Sequence, residues 1–252
     1  MLRFDEIVFG PIRSRRLGAS LGINLLPRSG KLCNFDCIYC ECGWNRDGRT
    51  SEALPSAAVI SAALEAKLSF MAREGAELDS ITFSGHGEPT LHPEFPQIID
   101  ITVALRDRYY PGVNISVLSN ATMLHKTEVV QALRKVDNAI LKLDAPCNEK
   151  ASIINKPQMK YDVEKVVEGM ESFEGRFVLQ TMMLGGAAFD YRKDAAALED
   201  YKNIVRRLKP QKVMIYSLDR PSPEQGLEKL DRECMQAMLQ DLIEEGINVV
   251  IY

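Results

Sequence analysis

The chain has 252 residues, 46% of them hydrophobic and 26% charged, a balance ordinary for a soluble globular protein with a core that needs no staples. A net charge of −4 excludes a general electrostatic pull toward nucleic acid or membrane and leaves room only for a local basic patch. Neither a charged leader with an apolar run at Met1 nor an apolar stretch of spanning length is present, so a cytoplasmic location without membrane contact is expected; six cysteines there act as metal ligands or buried thiols, not disulfides.

No repeat or linker interrupts the chain, and the expectation is one domain over residues 1–252 with a short lead-in over 1–20. Glu6–Phe9 is a candidate strand ahead of the first barrel strand, Leu21–Leu26. Val59, Ile60, Ala63, Leu64, Leu68 and Met71 recur at helical spacing, with Pro55 placed to start the helix. Asp79–Phe83 forms a short strand, and Pro93 opens a helix carrying Phe95, Ile98, Ile99, Thr102 and Leu105. Strands Val113–Leu118, Ala139–Leu143, Phe177–Met183 and Val213–Ser217 alternate with helices marked by Val129, Val163 and Leu198. A last helix runs from Leu227 through Cys234 to Leu242, with Gly246 to close it, before an edge strand at Val249–Tyr252.

Repeated βα units imply parallel strands with right-handed crossovers, in a closed or partial barrel or an open doubly wound sheet. The helix-to-strand links are short. Three strand-to-helix links are long: Pro27–Leu54, Asp144–Lys160 and Leu218–Gly226. In an α/β barrel those loops build the working face.

The first long loop holds Cys33, Cys37 and Cys40, spaced C-x3-C-x2-C. Three thiols so close cannot all pair, and thiolates are the preferred ligands of zinc and of iron–sulfur clusters. A closed zinc site needs four ligands, with Cys42 as a doubtful fourth. Three thiolates on a four-iron cubane leave one iron open.

Gly85-His86-Gly87-Glu88-Pro89 follows the Asp79–Phe83 strand. Its glycines let backbone approach a ligand, and the same residues also suit a tight turn. His86 is a candidate catalytic residue or a hydrogen-bonded loop histidine. Lys142 and Asp144 share one strand face, where ionic side chains are costly unless paired or met by a polar ligand. Arg13, Arg15, Arg16 and Arg220 either bind a phosphate or carboxylate or form structural salt bridges. Cys147 is a candidate catalytic thiol or an idle one, and Cys234 falls on an apolar stripe as a core residue.

The cysteine triplet with Tyr39 before its third member, together with Ser84–Pro89, resembles the signature of the radical S-adenosylmethionine (SAM) superfamily. Phe9-Gly10-Pro11-Ile12-Arg13-Ser14-Arg15-Arg16-Leu17-Gly18 resembles the opening of an uncharacterised group related to wyosine-base synthases. The resemblance implies a partial (β/α)6 TIM-type barrel. It implies that Cys33, Cys37 and Cys40 bind three irons of a [4Fe–4S] cluster, whose fourth iron takes the amino and carboxylate groups of SAM. One electron would then release methionine and a 5′-deoxyadenosyl radical that abstracts hydrogen from substrate. By the same likeness Tyr39 meets the adenine, while Gly85, Gly87 and Glu88 hold the methionyl amino group. Asn120, Lys142 and Asp144 face the ribose and carboxylate, with Ser119, Gln180 and Thr181 as lesser candidates. An external one-electron donor of flavodoxin or ferredoxin type is expected. Two substrate classes fit: a tRNA base or nucleoside, and a small molecule; activation of a glycyl-radical enzyme is a further alternative. From a different class comes a non-catalytic binding protein stabilised by zinc or a cluster.

Overall fold

The structure, a computed structural model, describes residues 6–48 and 52–252. Residues 1–5 of the expected lead-in and 49–51 of the first long loop lie outside the described residues.

The chain opens with an antiparallel hairpin, β1 (Val8–Ser14) and β2 (Gly18–Ile23). It continues through α1 (Ala57–Arg73), β3 (Ser80–Phe83), α2 (Phe95–Tyr109), β4 (Asn114–Ser119), α3 (Thr127–Leu133) and β5 (Asn138–Lys142). Then come α4 (Asn148–Ile154), α5 (Val163–Glu171), β6 (Val178–Met182), β7 (Leu184–Gly186), α6 (Ala195–Leu208) and β8 (Lys212–Tyr216). The last elements are β9 (Leu227–Lys229), α7 (Arg232–Met238), α8 (Gln240–Glu244) and β10 (Val249–Ile251).

One sheet runs in the order β1-β2-β3-β4-β5-β6-β8-β10, and every pairing in it after β1–β2 is parallel. A small ribbon, β7–β9, lies outside it. Alternation along the strands separates two apolar layers. Leu21, Ile81, Val117, Leu141, Leu179 and Ile215 belong to the main core, which also takes the buried stripe of α1 at Ile60, Leu64, Leu68 and Met71. Ile140, Val178 and Met214 form a separate cluster on the other face, joined by Leu17, Leu118 and Tyr252. Leu17 comes from the β1–β2 turn and Tyr252 follows β10, so the two ends of the sheet meet over one inner surface. This is a curved partial barrel with a lumen, as expected, rather than an open two-faced sheet.

Several boundaries differ from the sequence reading for local reasons. The expected strand Leu21–Leu26 begins at Gly18 and stops at Ile23, because the Asn24 side chain bonds Leu26 through both its oxygen and its nitrogen and turns the chain out. The lead-in is not a loose arm: β1 extends to Ser14, past Gly10 and Pro11, through a bulge between Phe9 and Ile12. Pro55 precedes the true N-cap, Ser56, whose hydroxyl accepts from Val59 N. Pro93 likewise precedes α2, whose own early proline is Pro96. The Asp144–Lys160 loop contains α4. The last predicted helix is divided: Leu227 is spent in β9, and Asp231 caps a helix that starts only at Arg232. Cys234 is half-buried beside Met238 and stands outside the core.

The hairpin is fitted tightly. Phe9 pairs with Gly22, and a Cβ on Gly22 would fall 2.1 Å from the Phe9 ring. Gly22→Ala is therefore expected to lower stability by about 1–3 kcal/mol through overpacking. In a Phe9→Ala background the same change should cost almost nothing, as read from urea unfolding midpoints.

Candidate active site

The three long loops converge at the carboxyl ends of the parallel strands, and they bring the cysteines into a cavity of about 250 Å³. The cysteine loop has little regular structure of its own and is held by its neighbours. Leu32 N donates to His86 O (2.8 Å) and Glu88 N to Leu32 O (3.0 Å). On the other side Asp36 N bonds Asn155 O (2.9 Å) and Ile38 N bonds Ile154 O (3.0 Å), at the end of α4. Gly87 must be glycine: its φ is +136°, and a Cβ there would lie 1.8 Å from Leu32 O.

Cys33, Cys37, Cys40 and Tyr39 line the cavity, and Gly85, Gly87 and Glu88 form a second side of it. Asn120 and Lys142 close it from β4 and β5. Several of these side chains have partners within the protein. Glu88 Oε1 accepts from the Thr90 peptide N–H, the Thr90 hydroxyl and the Ser119 hydroxyl, and Oε2 from Asn120 N (2.6 Å). These contacts fasten the glycine loop to β4, and Glu88 also lines the cavity. Burial pushes its carboxyl upward, against the effect of these donors. Asn120 sends its amide to Asn34 Oδ1 (2.7 Å) and to the Cys33 sulfur (3.8 Å) rather than into open space.

Asp144 is buried and absent from the lining. It accepts from the Tyr39 hydroxyl, from Asn155 Nδ2 (2.8 Å) and from Met182 N (2.9 Å), and stands 3.6 Å from Lys142. It orients Tyr39 and Lys142. Lys142 lies between two rings, 5.0 Å from Tyr39 and 4.9 Å from Tyr216, and donates to the Tyr216 hydroxyl. Burial works against its charge, yet Asp144 and Tyr216 together raise its pKa.

Several other candidates fall outside the cavity. His86 Nδ1 lies 3.1 Å from Pro27 O, with the ring buried in the loop it stabilises. Cys147 is the N-cap position of α4 and lines neither this cavity nor the lumen. Gln180 and Thr181 point to opposite faces of β6. Gln180 lines the cavity, while Thr181 bonds Leu143 O and Tyr201 behind the sheet. Arg15 pairs with Asp219, and Arg220 with Glu41 (2.5 Å).

Two contributors were missed by sequence reasoning. Lys31 is buried against the thiols, its Nζ bonded to Gly43 O (2.9 Å) and 3.4 Å from Asp36. Burial opposes its charge, but Cys40, Cys33, Cys37 and Asp36 outweigh that and raise its pKa. Asn155 sends Nδ2 to the Cys37 sulfur at 3.4 Å. A lysine just before a cysteine motif was a signal available in the sequence; Asn155, over a hundred residues away, gave none.

Burial pushes the Cys33 thiol up and the Cys37 thiol to about 11. Cys40 is lowered to about 6, chiefly by the neighbouring Cys42 thiol and with further help from Lys31. Cys42 itself lies 3.6 Å from Gly85 O. Among the described residues no three His, Cys, Asp or Glu side chains converge on a point that one metal ion would occupy.

A thiol-lined cavity at the carboxyl edge of a partial parallel barrel defines an α/β-barrel enzyme of the cofactor-using kind. The Radical SAM superfamily model matches residues 28–186. A UPF0026 protein of Helicobacter pylori is 30% identical over 220 residues, covering 86% of this chain and 67% of that protein. A probable dual-specificity RNA methyltransferase RlmN of Petrotoga mobilis is 23% identical over 228 residues, covering 87% of this chain and 60% of the other. Among solved structures, a radical SAM methyltransferase from Sphaerobacter thermophilus matches with a TM-score of 0.68 at 17% identity, over 92% of this chain and 65% of that one. SuiB of Streptococcus suis bound to S-adenosylmethionine matches at 0.62 and 14% identity, over 89% of this chain and 49% of SuiB. These two likenesses concern the fold; this chain spans about two thirds and about half of those two structures. The chain belongs to the radical SAM superfamily, whose enzymes use a [4Fe–4S] cluster and SAM and need an electron donor. Among the described residues no helix is long and apolar enough to cross a membrane.

The thiol order yields a direct test on cluster-free protein. Iodoacetamide should modify Cys40 first, at a rate that climbs through pH 6 and levels by about pH 8, because only the thiolate reacts. Cys37 should still be accelerating at pH 10. Peptide mass spectrometry against pH reads both.

Proposed function

We propose that Cys33, Cys37 and Cys40 hold a [4Fe–4S] cluster and that SAM occupies the rest of their cavity, beside Gly85, Gly87, Tyr39 and Lys142. When bound, the reduced cluster and SAM supply a radical that takes hydrogen from a substrate. The residues of this chain do the rest. Phe35, Ile38 and Tyr39, each almost fully buried, shield the thiols from water. Amides of Asn120 and Asn155 point at two of the sulfurs and favour their anionic form. Lys31 and Lys142 bring resident positive charge, and Lys142 is set to meet a carboxylate. The electron comes from an external one-electron donor of the flavodoxin or ferredoxin type.

The observation that carries this reading is a second cavity, about 360 Å³, inside the barrel lumen. It shares Arg16, Glu41, Leu118, Gln180, Met182 and Tyr216 with the thiol cavity. A substrate in the lumen would thus lie beside the cofactor, across side chains that border both cavities, and hydrogen abstraction needs such proximity. We infer that this lumen is the substrate site. A nucleoside, free or in RNA, is the substrate class favoured by the cationic side chains at its rim, and the likeness to an RNA methyltransferase points the same way. A small metabolite is the second reading, favoured by the modest volume of the lumen.

Anaerobically reconstituted protein with dithionite and SAM should release 5′-deoxyadenosine. Alanine at Cys33, Cys37 or Cys40 should drop iron content and product to background, whereas Cys42→Ala should keep both. Colourless protein with one tightly held zinc, or product formation that survives loss of any one of the three cysteines, would refute the proposal. Faster turnover with bulk tRNA than without it would select the nucleoside reading.

A further inference from the structure

We propose that Arg16 anchors an oxyanion of the substrate, a phosphate ester or a carboxylate, at the junction of lumen and cofactor cavity; this rests on the reading that the lumen holds the substrate. Arg16 lines the thiol cavity, the lumen cavity and a third cavity of about 310 Å³ at the amino ends of the strands. Its guanidinium carbon sits 4.7 Å over the ring of Tyr216, and Tyr216 is itself tied to Lys142. Stacking engages the face of the guanidinium and leaves the in-plane N–H fork free, the edge that grips planar oxyanions in pairs.

Charge around the lumen leaves Arg13 and Arg16 unpaired, and burial separates the two: Arg13 is exposed, while Arg16 is half-buried. Arg13, Arg15, Arg16, Arg220 and Lys229 line it, against two carboxylates, Glu41 and Asp219. Asp219 is engaged by Arg15 and Lys229, and Glu41 by Arg220. Among the described residues Arg16 meets no carboxylate. A half-buried guanidinium without a counter-ion is costly, and an anionic ligand removes that cost. The excess of positive charge is local, because the chain as a whole carries −4.

The anchor is in place before any ligand arrives. Arg16 N and Leu17 N both bond Ser14 Oγ at 3.2 Å, and Ala19 N bonds Asp79 Oδ2 at 2.7 Å. Leu17 is seated in the inner apolar cluster. One turn therefore fixes the backbone on both sides of Arg16, so little ordering entropy opposes binding.

The test is calorimetric titration of the reconstituted protein with methyl phosphate and with acetate, in the presence and absence of SAM. One of these anions should bind, and Arg16→Gln should weaken it by at least about tenfold, the loss of one charge-assisted contact. Arg16→Lys, which keeps the charge without the fork, should fall between, and Arg108→Gln on the outer surface should change nothing. SAM affinity should fall by less than anion affinity in Arg16→Gln, at an unchanged urea midpoint. Preference for methyl phosphate would identify a phosphate-ester substrate, and preference for acetate a carboxylic acid. Binding of neither anion, or equal binding in Arg16→Gln, would overturn the assignment. So would a tenfold loss of SAM affinity with anion binding intact, which would give Arg16 to the cofactor. If 5′-deoxyadenosine still forms in those cases, the radical SAM reading stands and only the anchor is lost.

Discussion

The site depends on how an irregular loop is gripped from both sides. The cysteine segment folds partly on itself, with Gly43 N bonded to Cys40 O (2.9 Å) and Asn45 Nδ2 to Cys33 O and Phe35 O (3.1 Å each). Its backbone is also bonded to the glycine loop after β3 and to the end of α4 after β5, and Gln158 N adds a further bond to Asn34 O (2.9 Å). Each such bond contributes only about 1 kcal/mol net, but each buried group left without a partner would cost more. The spacing of the thiols is thus imposed by two other βα units. It exists only when β3 and β5 stand in the same curved sheet.

Charge inside this grip is balanced almost residue by residue. Lys31 answers the thiols and Asp36, while Lys142 answers Asp144 and lies between two tyrosine rings. Glu88 is neutralised by donors rather than by a cation. Removing one partner of such a buried pair costs about 3–5 kcal/mol, because the survivor stays buried without compensation. Asp144 shows why this matters for function. It lines neither the thiol cavity nor the lumen, yet it holds Tyr39, Asn155 and Lys142, which respectively line the thiol cavity, touch a cysteine sulfur and supply a charge.

Most of the fold was legible because its signals are local. Helical stripes such as Ile60–Leu64–Leu68 and short apolar strands such as Ile81–Phe83 repeat at periods the core dictates. Asymmetric loop lengths pointed to the correct face of the sheet. The misses share a cause: β1 was hidden by Gly10 and Pro11, which usually interrupt strands, and β9 by leucines that fit a helical stripe equally well. At the site, residue types with strong chemistry in close sequence, Cys33, Cys37 and Cys40, were recognisable at once. Direction was not. Glu88, Asn120 and Asp144 were correctly named as polar residues at strand ends, but their side chains turn toward partners that only the folded sheet supplies. Thr181 and Gln180 differ by one residue and face opposite ways, a distinction that needs the register.

The β1–β2 hairpin links the architecture to substrate contact. β2 would otherwise expose an unpaired edge, and β1 covers it. The same turn that makes this possible drops Leu17 onto Ile140, Val178 and Met214, the apolar wall of the lumen. Across from that wall runs a chain of hydroxyls and an amide, from Ser20 to Thr82, Ser80, Ser116 and Asn138, with contacts of 2.7–3.2 Å. A lumen greasy on one wall and hydrogen-bonding on the other constrains how a ligand can lie. Arg16, carried by the hairpin to the boundary between the cavities, adds a fixed charge at one end of that orientation. The element that seals the sheet therefore also decides which end of a substrate faces the cofactor, and a change in hairpin packing should be felt in substrate positioning before it is felt in cofactor binding.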